Sequence, residues 1–255
     1  MCRVTVETTR RRVGTETVLV LAVSLGQSAV YSLVSLLGAL TAKKALADQS
    51  AALNSSAAPG RPWLDLTYQV LGIAFALAPV ALALHLMSRD DRPVGTVLGI
   101  DRRHPVFDLG SGALLALCIG APGLGLYFGA RALGLAVNVV PSALPHVWWQ
   151  IPILVLSAVQ NAVLEEVIVV GYLITRLRQL DWRLPAIIAT SALLRGSYHL
   201  YQGFGGFVGN AIMGVIFALF WVRTRRLAPL IVAHSLLDIT AFVGYAVLHP
   251  YVSWL

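Results

Sequence analysis

Leu164-Glu165-Glu166-Val167-Ile168-Val169-Val170-Gly171-Tyr172 sets two adjacent carboxylates in the middle of a long apolar run. Insertion scales charge roughly 2.5 to 3.5 kcal/mol for one ionised carboxylate at the centre of a membrane helix, and such groups face a bundle interior or a water-filled cavity. Two side by side therefore predict a polar centre to which other helices contribute.

The surrounding chain has the composition of a membrane protein. It is 57% hydrophobic and only 12% charged, where a soluble domain carries about 25% charged residues. The expected fold class is all-α, a polytopic membrane helix bundle, and 255 residues leave room for about seven transmembrane helices of roughly 20 residues each. Cys2 and Cys118, one in a basic tail and one in an apolar span, make no disulfide framework, and Cys118 is expected to be a packing residue.

Residues 1–16 read as a basic cytoplasmic tail. The apolar run from Thr17 to about Thr41 is too long for a signal-peptide core, so it is taken as the first span. Further spans are expected at about Leu66–Met87, Leu109–Leu133, Ile151–Leu177, Leu184–Tyr201, the stretch ending near Val222, and Leu227–Leu248. Helices one to three fill 17–148 and a second helical core fills 149–255. Gly125 and Gly129 have the spacing of a close helix contact, and Trp148 with Trp149 reads as an interfacial anchor.

Numbering the loops alternately puts fourteen arginines on one side against Lys43, Lys44, Arg61 and Arg131 on the other. By the positive-inside rule the N-terminus is then cytoplasmic and the C-terminus outside, in an integral membrane protein expected in a bacterial plasma membrane. The net charge of +7 reads as topology and contact with membrane lipid, and nothing points to a nucleic acid.

The only other basic residue, Arg195, lies within a span. It joins Glu165, Glu166, His199, His234 and Asp238, six ionisable groups confined to three of the last four apolar segments. Gathered at one centre they satisfy one another and form a candidate active site. His234 and Asp238 are four apart and share a helix face, and Arg195 and His199 are expected to do the same. Glu165 and Glu166 diverge by about 100°, so one points at the centre and the other flanks it. A polar knot that merely holds helices together is the alternative.

Glu165-Glu166 with Gly171-Tyr172-Leu173, then Tyr198-His199-Leu200, then His234-Ser235-Leu236-Leu237-Asp238 resemble the three motifs of the CPBP intramembrane metalloprotease family, also called the CAAX prenyl endopeptidase or Abi family. Those motifs are Glu-Glu-x-x-x-Arg, Phe-x-x-x-His and His-x-x-x-Asn/Asp. The resemblance covers about Gln150 to Val247 and implies an endopeptidase acting on a peptide bond of a membrane-associated protein or peptide, near the cytoplasmic side. It implies Glu165 as the base that activates water, His199 as its partner, His234 and Asp238 at the oxyanion or the water, and Glu166 in support. A divalent metal such as zinc, on Glu165, His199 and His234, and a metal-free glutamate mechanism both stay open.

Two positions depart from the pattern. Val170 stands at the family arginine and Arg195 at the phenylalanine of the second motif, which suggests that Arg195 supplies the missing charge from another helix, to Glu166 or Asp238. The other functional readings are a catalytically inactive immunity or scaffold protein on the same fold, and a proton-coupled transporter.

Overall fold

The structure, a computed structural model, describes residues 2–249 and 251. The expected helices are present, with differences that matter for the site. Helix α1 (Cys2–Ala22) takes in most of the expected tail, although the side chains of Cys2 and Arg3 lie outside the described residues. The first span is not one rod: α1 and α2 (Leu25–Thr41) meet at a 48° bend. Ser24 sits in the break and donates its hydroxyl to the Val20 carbonyl, which helps to satisfy the interrupted ladder.

Helices α3 (Pro62–Ala76) and α4 (Ala78–Met87) make a second span, broken where Pro79 removes a donor. A short α5 (Val94–Leu98) leads to α6 (Pro105–Ala132). The central span is α7 (Gln150–Glu165), a π-helical segment (Glu166–Tyr172) and α8 (Leu173–Gln179). Helix α9 (Leu184–Ser197) is followed by a 3-10 turn at Leu200–Gln202, α10 (Phe204–Thr224) and α11 (Ala228–Leu248). Two three-residue strands, β1 (Ser50–Ala52) and β2 (Asn138–Val140), pair in parallel in the connecting loops, with Ser50 opposite Asn138.

Among the described residues five helices are long and apolar enough to cross a membrane, six with the bent pair counted as one. The remaining apolar segment, α9, has 14 residues and rises about 21 Å, short of the ~30 Å hydrocarbon core. The span expected to reach Tyr201 ends at Ser197, and the chain turns inside the bundle.

Burial orders the helices. In the central span 61% of the most apolar window is buried, against 6% in α6 and 33% in α11. Its π segment is wholly buried, and Val167, Ile168, Val169 and Val170 form the heart of a core with Leu98, Phe217, Trp221 and Leu227.

Three sequence expectations change. Gly125 and Gly129 face open space; the close contacts of α6 are at Gly112 and Gly120, where Val232 and Leu237 of α11 press in. Trp148 is exposed beside Trp63, but Trp149 turns into a second core with Leu154 and Phe242. Cys118 is an exposed free thiol, not a packing residue.

The arginine-rich edge is tied by its own contacts. Arg226 grips Asp108 with Nε and Nη2, both at 2.6 Å, and reaches Asp101 at 3.2 Å. The Leu227 N–H donates to the Leu98 carbonyl. Between them Gly99 adopts φ +62, and a Cβ there would stand 1.9 Å from the Arg225 carbonyl oxygen. Gly99→Ala should therefore lower the thermal unfolding midpoint of the detergent-purified protein, the left-handed backbone alone costing about 1–3 kcal/mol; an unchanged midpoint would show that the turn relaxes freely.

The Arg103 backbone N–H, and after it the Arg226 guanidinium, hold the Asp101 carboxyl below its ordinary value of 3.8. A carboxylate whose pKa is depressed by folding stabilises above its unfolded pKa and loses that contribution as pH falls through the folded one. Asp101→Asn should accordingly destabilise at pH 7 and match the wild type once the pH is well below 3.8; an equal deficit at both pH values would assign the effect to packing.

Candidate active site

Glu165 closes α7 and Glu166 opens the π segment, so the carboxylates sit where the helix underwinds. Leu173 N–H reaches back five residues to the Ile168 carbonyl. Hydroxyls support this irregular stretch: Ser191 of α9 donates to the Val169 carbonyl at 3.0 Å and Thr175 to that of Gly171 at 2.6 Å. Single π turns of this kind are frequent at functional sites because they re-aim side chains.

Arg195, in the last turn of α9 and fully buried, answers both carboxylates. Its Nη2 donates to the two oxygens of Glu166 at 2.7 and 2.8 Å, and its Nη1 donates to Oε2 of Glu165 at 3.1 Å. The guanidinium lies 5.4 Å from the centre of the Phe217 ring. Gly214 gives it room, since a Cβ there would come within 2.9 Å of the Ala192 Cα and 3.3 Å of the Arg195 Cδ. The divergence expected between the two glutamates is thus bridged by one fork. Arg195 does not pair with Asp238.

The remaining groups close around these three. Tyr198 donates its hydroxyl to Oε2 of Glu165 at 2.7 Å, leaving Oε1 without a hydrogen-bond donor among the described residues. His234 Nδ1 lies 2.7 Å from Oε1 of Glu166, and its Nε2 lies 3.7 Å from Oδ1 of Asp238. A carboxylate only accepts, so Nδ1 of His234 carries the proton. The 3.7 Å gap exceeds a direct hydrogen bond and suits a bridging water. Asn161 of α7 holds the other Asp238 oxygen at 3.4 Å.

His199 differs from expectation. It lies beyond the end of α9, and its Nδ1 donates to the Arg195 carbonyl at 2.9 Å. That bond fixes the tautomer and leaves a lone pair on Nε2, because a carbonyl can only accept. The ring rests against Tyr198 and Tyr201, with centroids 4.7 and 6.4 Å away. Gln202 and Asn210 bond elsewhere, to the Tyr201 hydroxyl and the Gly206 carbonyl. The sequence carries no signal for Phe217 or Ser191 as supports of the site; each reads as ordinary span composition.

Residues 147–240 match the family model of type II CAAX prenyl endopeptidases, Rce1-like. This segment is thus similar to the CAAX-protease family over little more than a third of the chain. It holds Glu165, Arg195, His199, His234 and Asp238, and helices α1 to α6 lie outside it. Neither the curated proteins nor the solved structures gave a match. The CAAX-protease family is one of endopeptidases, and the apolar helices make the chain an integral membrane protein.

A divalent metal on Glu165, His199 and His234 is not the grouping that forms. Among the described residues the atoms within 4.8 Å of one another belong to Glu165, Glu166 and His234. Both oxygens of Glu166 and one of Glu165 already accept from Arg195, so a dication there would confront a guanidinium on the same oxygens. This trio does not fit a metal while Arg195 is in place.

Removing one partner of a buried ion pair costs about 3–5 kcal/mol. Arg195→Phe should destabilise the protein by that order and abolish peptide cleavage. Adding Val170→Arg, which returns a guanidinium to the central span, should restore part of both; a double variant no better than the single would reject the exchange.

Proposed function

We propose that the protein is an intramembrane endopeptidase in which Glu165 activates water against a peptide bond of a membrane-associated protein or peptide. The observation that carries this reading is the asymmetry of the Glu165 carboxylate, with Oε2 clamped by Arg195 and Tyr198 and Oε1 free of donors among the described residues. An oriented carboxylate in a buried polar centre is a general base.

In this mechanism Oε1 of Glu165 takes one proton from the water and Nε2 of His199 accepts a hydrogen bond from the other. The water oxygen forms a bond to the carbonyl carbon. As the C–N bond breaks, Glu165 returns its proton to the leaving nitrogen. His234 and Asp238 hold the second side of the centre, where the oxyanion or a further water stands, and Glu166 fixes His234 and Arg195. The guanidinium supplies the positive charge, and no step uses a metal.

The same ion pair favours a second reading, an inactive immunity or scaffold protein, because the guanidinium already occupies one oxygen of the carboxylate that would have to act as base. Cleavage of a membrane-peptide substrate by the reconstituted wild type, Glu165→Gln and His199→Ala at matched expression separates the two. The enzyme reading expects loss of about 10²–10⁴-fold in each variant, with wild-type cleavage surviving EDTA. No cleavage by wild type, together with a retained protective effect in Glu165→Gln, would establish the scaffold.

A further inference from the structure

At the arginine-rich edge, away from the glutamates, a cavity of about 770 Å³ opens between the end of the central span, the end of α10 and the connector after α4. Its wall carries Arg89, Arg92, Arg178 and Arg225 against only two carboxylates, Asp90 and Asp91. Asp90 is already engaged from behind: buried Arg176 donates to its oxygens at 2.7 and 3.0 Å, and Gln179 to one of them at 3.0 Å. Among the described residues Arg92, Arg178 and Arg225 have no carboxylate within ion-pairing distance, and Arg89 approaches only Glu16, at 3.9 Å.

Two of these cations share one indole. Arg178 and Arg225 lie 5.8 and 5.2 Å from the ring centre of Trp221. Trp221 is 1% exposed, and its buried Nε1–H has no acceptor among the described residues. Arg225 is held there in a left-handed conformation, φ +57, with its N–H on the Trp221 carbonyl. Gathering like charges about one ring is unfavourable unless an anion completes the set.

We propose that this cavity binds a phosphate group, with an anionic lipid headgroup as its natural source. Guanidinium forks match phosphate oxygens in pairs, and Val97 and Trp221 give the wall an apolar side. The place fits as well, since basic pockets between helices at the membrane edge are where acidic headgroups dock. A zwitterionic headgroup would bring its ammonium against the arginines and is disfavoured. The site is independent of peptide cleavage, so its test needs no substrate.

Native mass spectrometry of the full chain in detergent, titrated with phosphatidylglycerol or phosphatidylcholine, counts bound lipid. Wild type should bind one phosphatidylglycerol at least ~10-fold more tightly than phosphatidylcholine, and R178Q/R225Q should lose that preference. Arg92 is exposed and makes no ion pair among the described residues, so R92Q keeps the fold and should weaken phosphatidylglycerol about 3-fold. Inorganic phosphate at millimolar concentration separates the sources: failure to displace the lipid supports a headgroup site, and displacement with binding of phosphate itself supports the same site filled from solution. Equal binding of the two lipids, or undiminished phosphatidylglycerol binding in R92Q, would overturn the proposal.

Discussion

Burying two carboxylates at one depth is the constraint from which the rest of this structure follows. Glu166 is fully buried and Glu165 nearly so, in a span whose neighbours are almost entirely aliphatic. Left alone each would carry a large desolvation penalty, so the fold must deliver a cation to that depth. Arg195 is that cation, and the surroundings are arranged to admit it. Helix α9 stops early so that its last turn lies at mid-bundle, Gly214 lets α10 close over the aliphatic stem, and Phe217 presents a ring to the guanidinium.

The ion cluster also sits at an irregular stretch of backbone. A regular α-helix through Glu165 and Glu166 would send the two carboxylates about 100° apart. Both residues keep helical dihedrals where the π segment begins, and a single guanidinium spans the two carboxylates. Irregular backbone in a membrane interior is tolerated only when its polar groups find partners within the protein. Ser191 and Thr175 supply them for Val169 and Gly171.

The helical class, the central span and the six ionisable groups were legible because each is written in local composition: charge is so rare in these spans that every instance stands out. Four of the six then meet through direct hydrogen bonds, Arg195, Glu165, Glu166 and His234, while Asp238 stands 3.7 Å from His234 and His199 is attached through the Arg195 carbonyl. What could not be read depends on where helices end and which faces meet. The apolar run does weaken after Leu194, but Arg195 and His199 read as site groups within a span, which masks the early end of α9. Gly125 and Gly129 have the spacing of a helix contact, yet Gly112 and Gly120 make it, because the choice depends on which face α11 covers. Trp148 and Trp149 are neighbours in sequence and opposites in environment for the same reason.

Moving the arginine from the fourth apolar segment to the fifth changes what the ion pair does for the fold. In a Glu-Glu-x-x-x-Arg arrangement the guanidinium belongs to the same helix as its carboxylates, one turn away, and the charges are compensated as soon as that helix forms. With valine at position 170 and arginine at 195, compensation waits until α9 docks. The cluster is then a tertiary lock: the α9–α10 hairpin cannot swing away from the central span without exposing two carboxylates and a guanidinium to one another's absence in a low-dielectric interior. His199 hangs from the carbonyl of the residue that makes this lock, so the position of the imidazole and the charge state of the carboxylates are set by one docking event. A polar centre built this way is assembled completely or not at all.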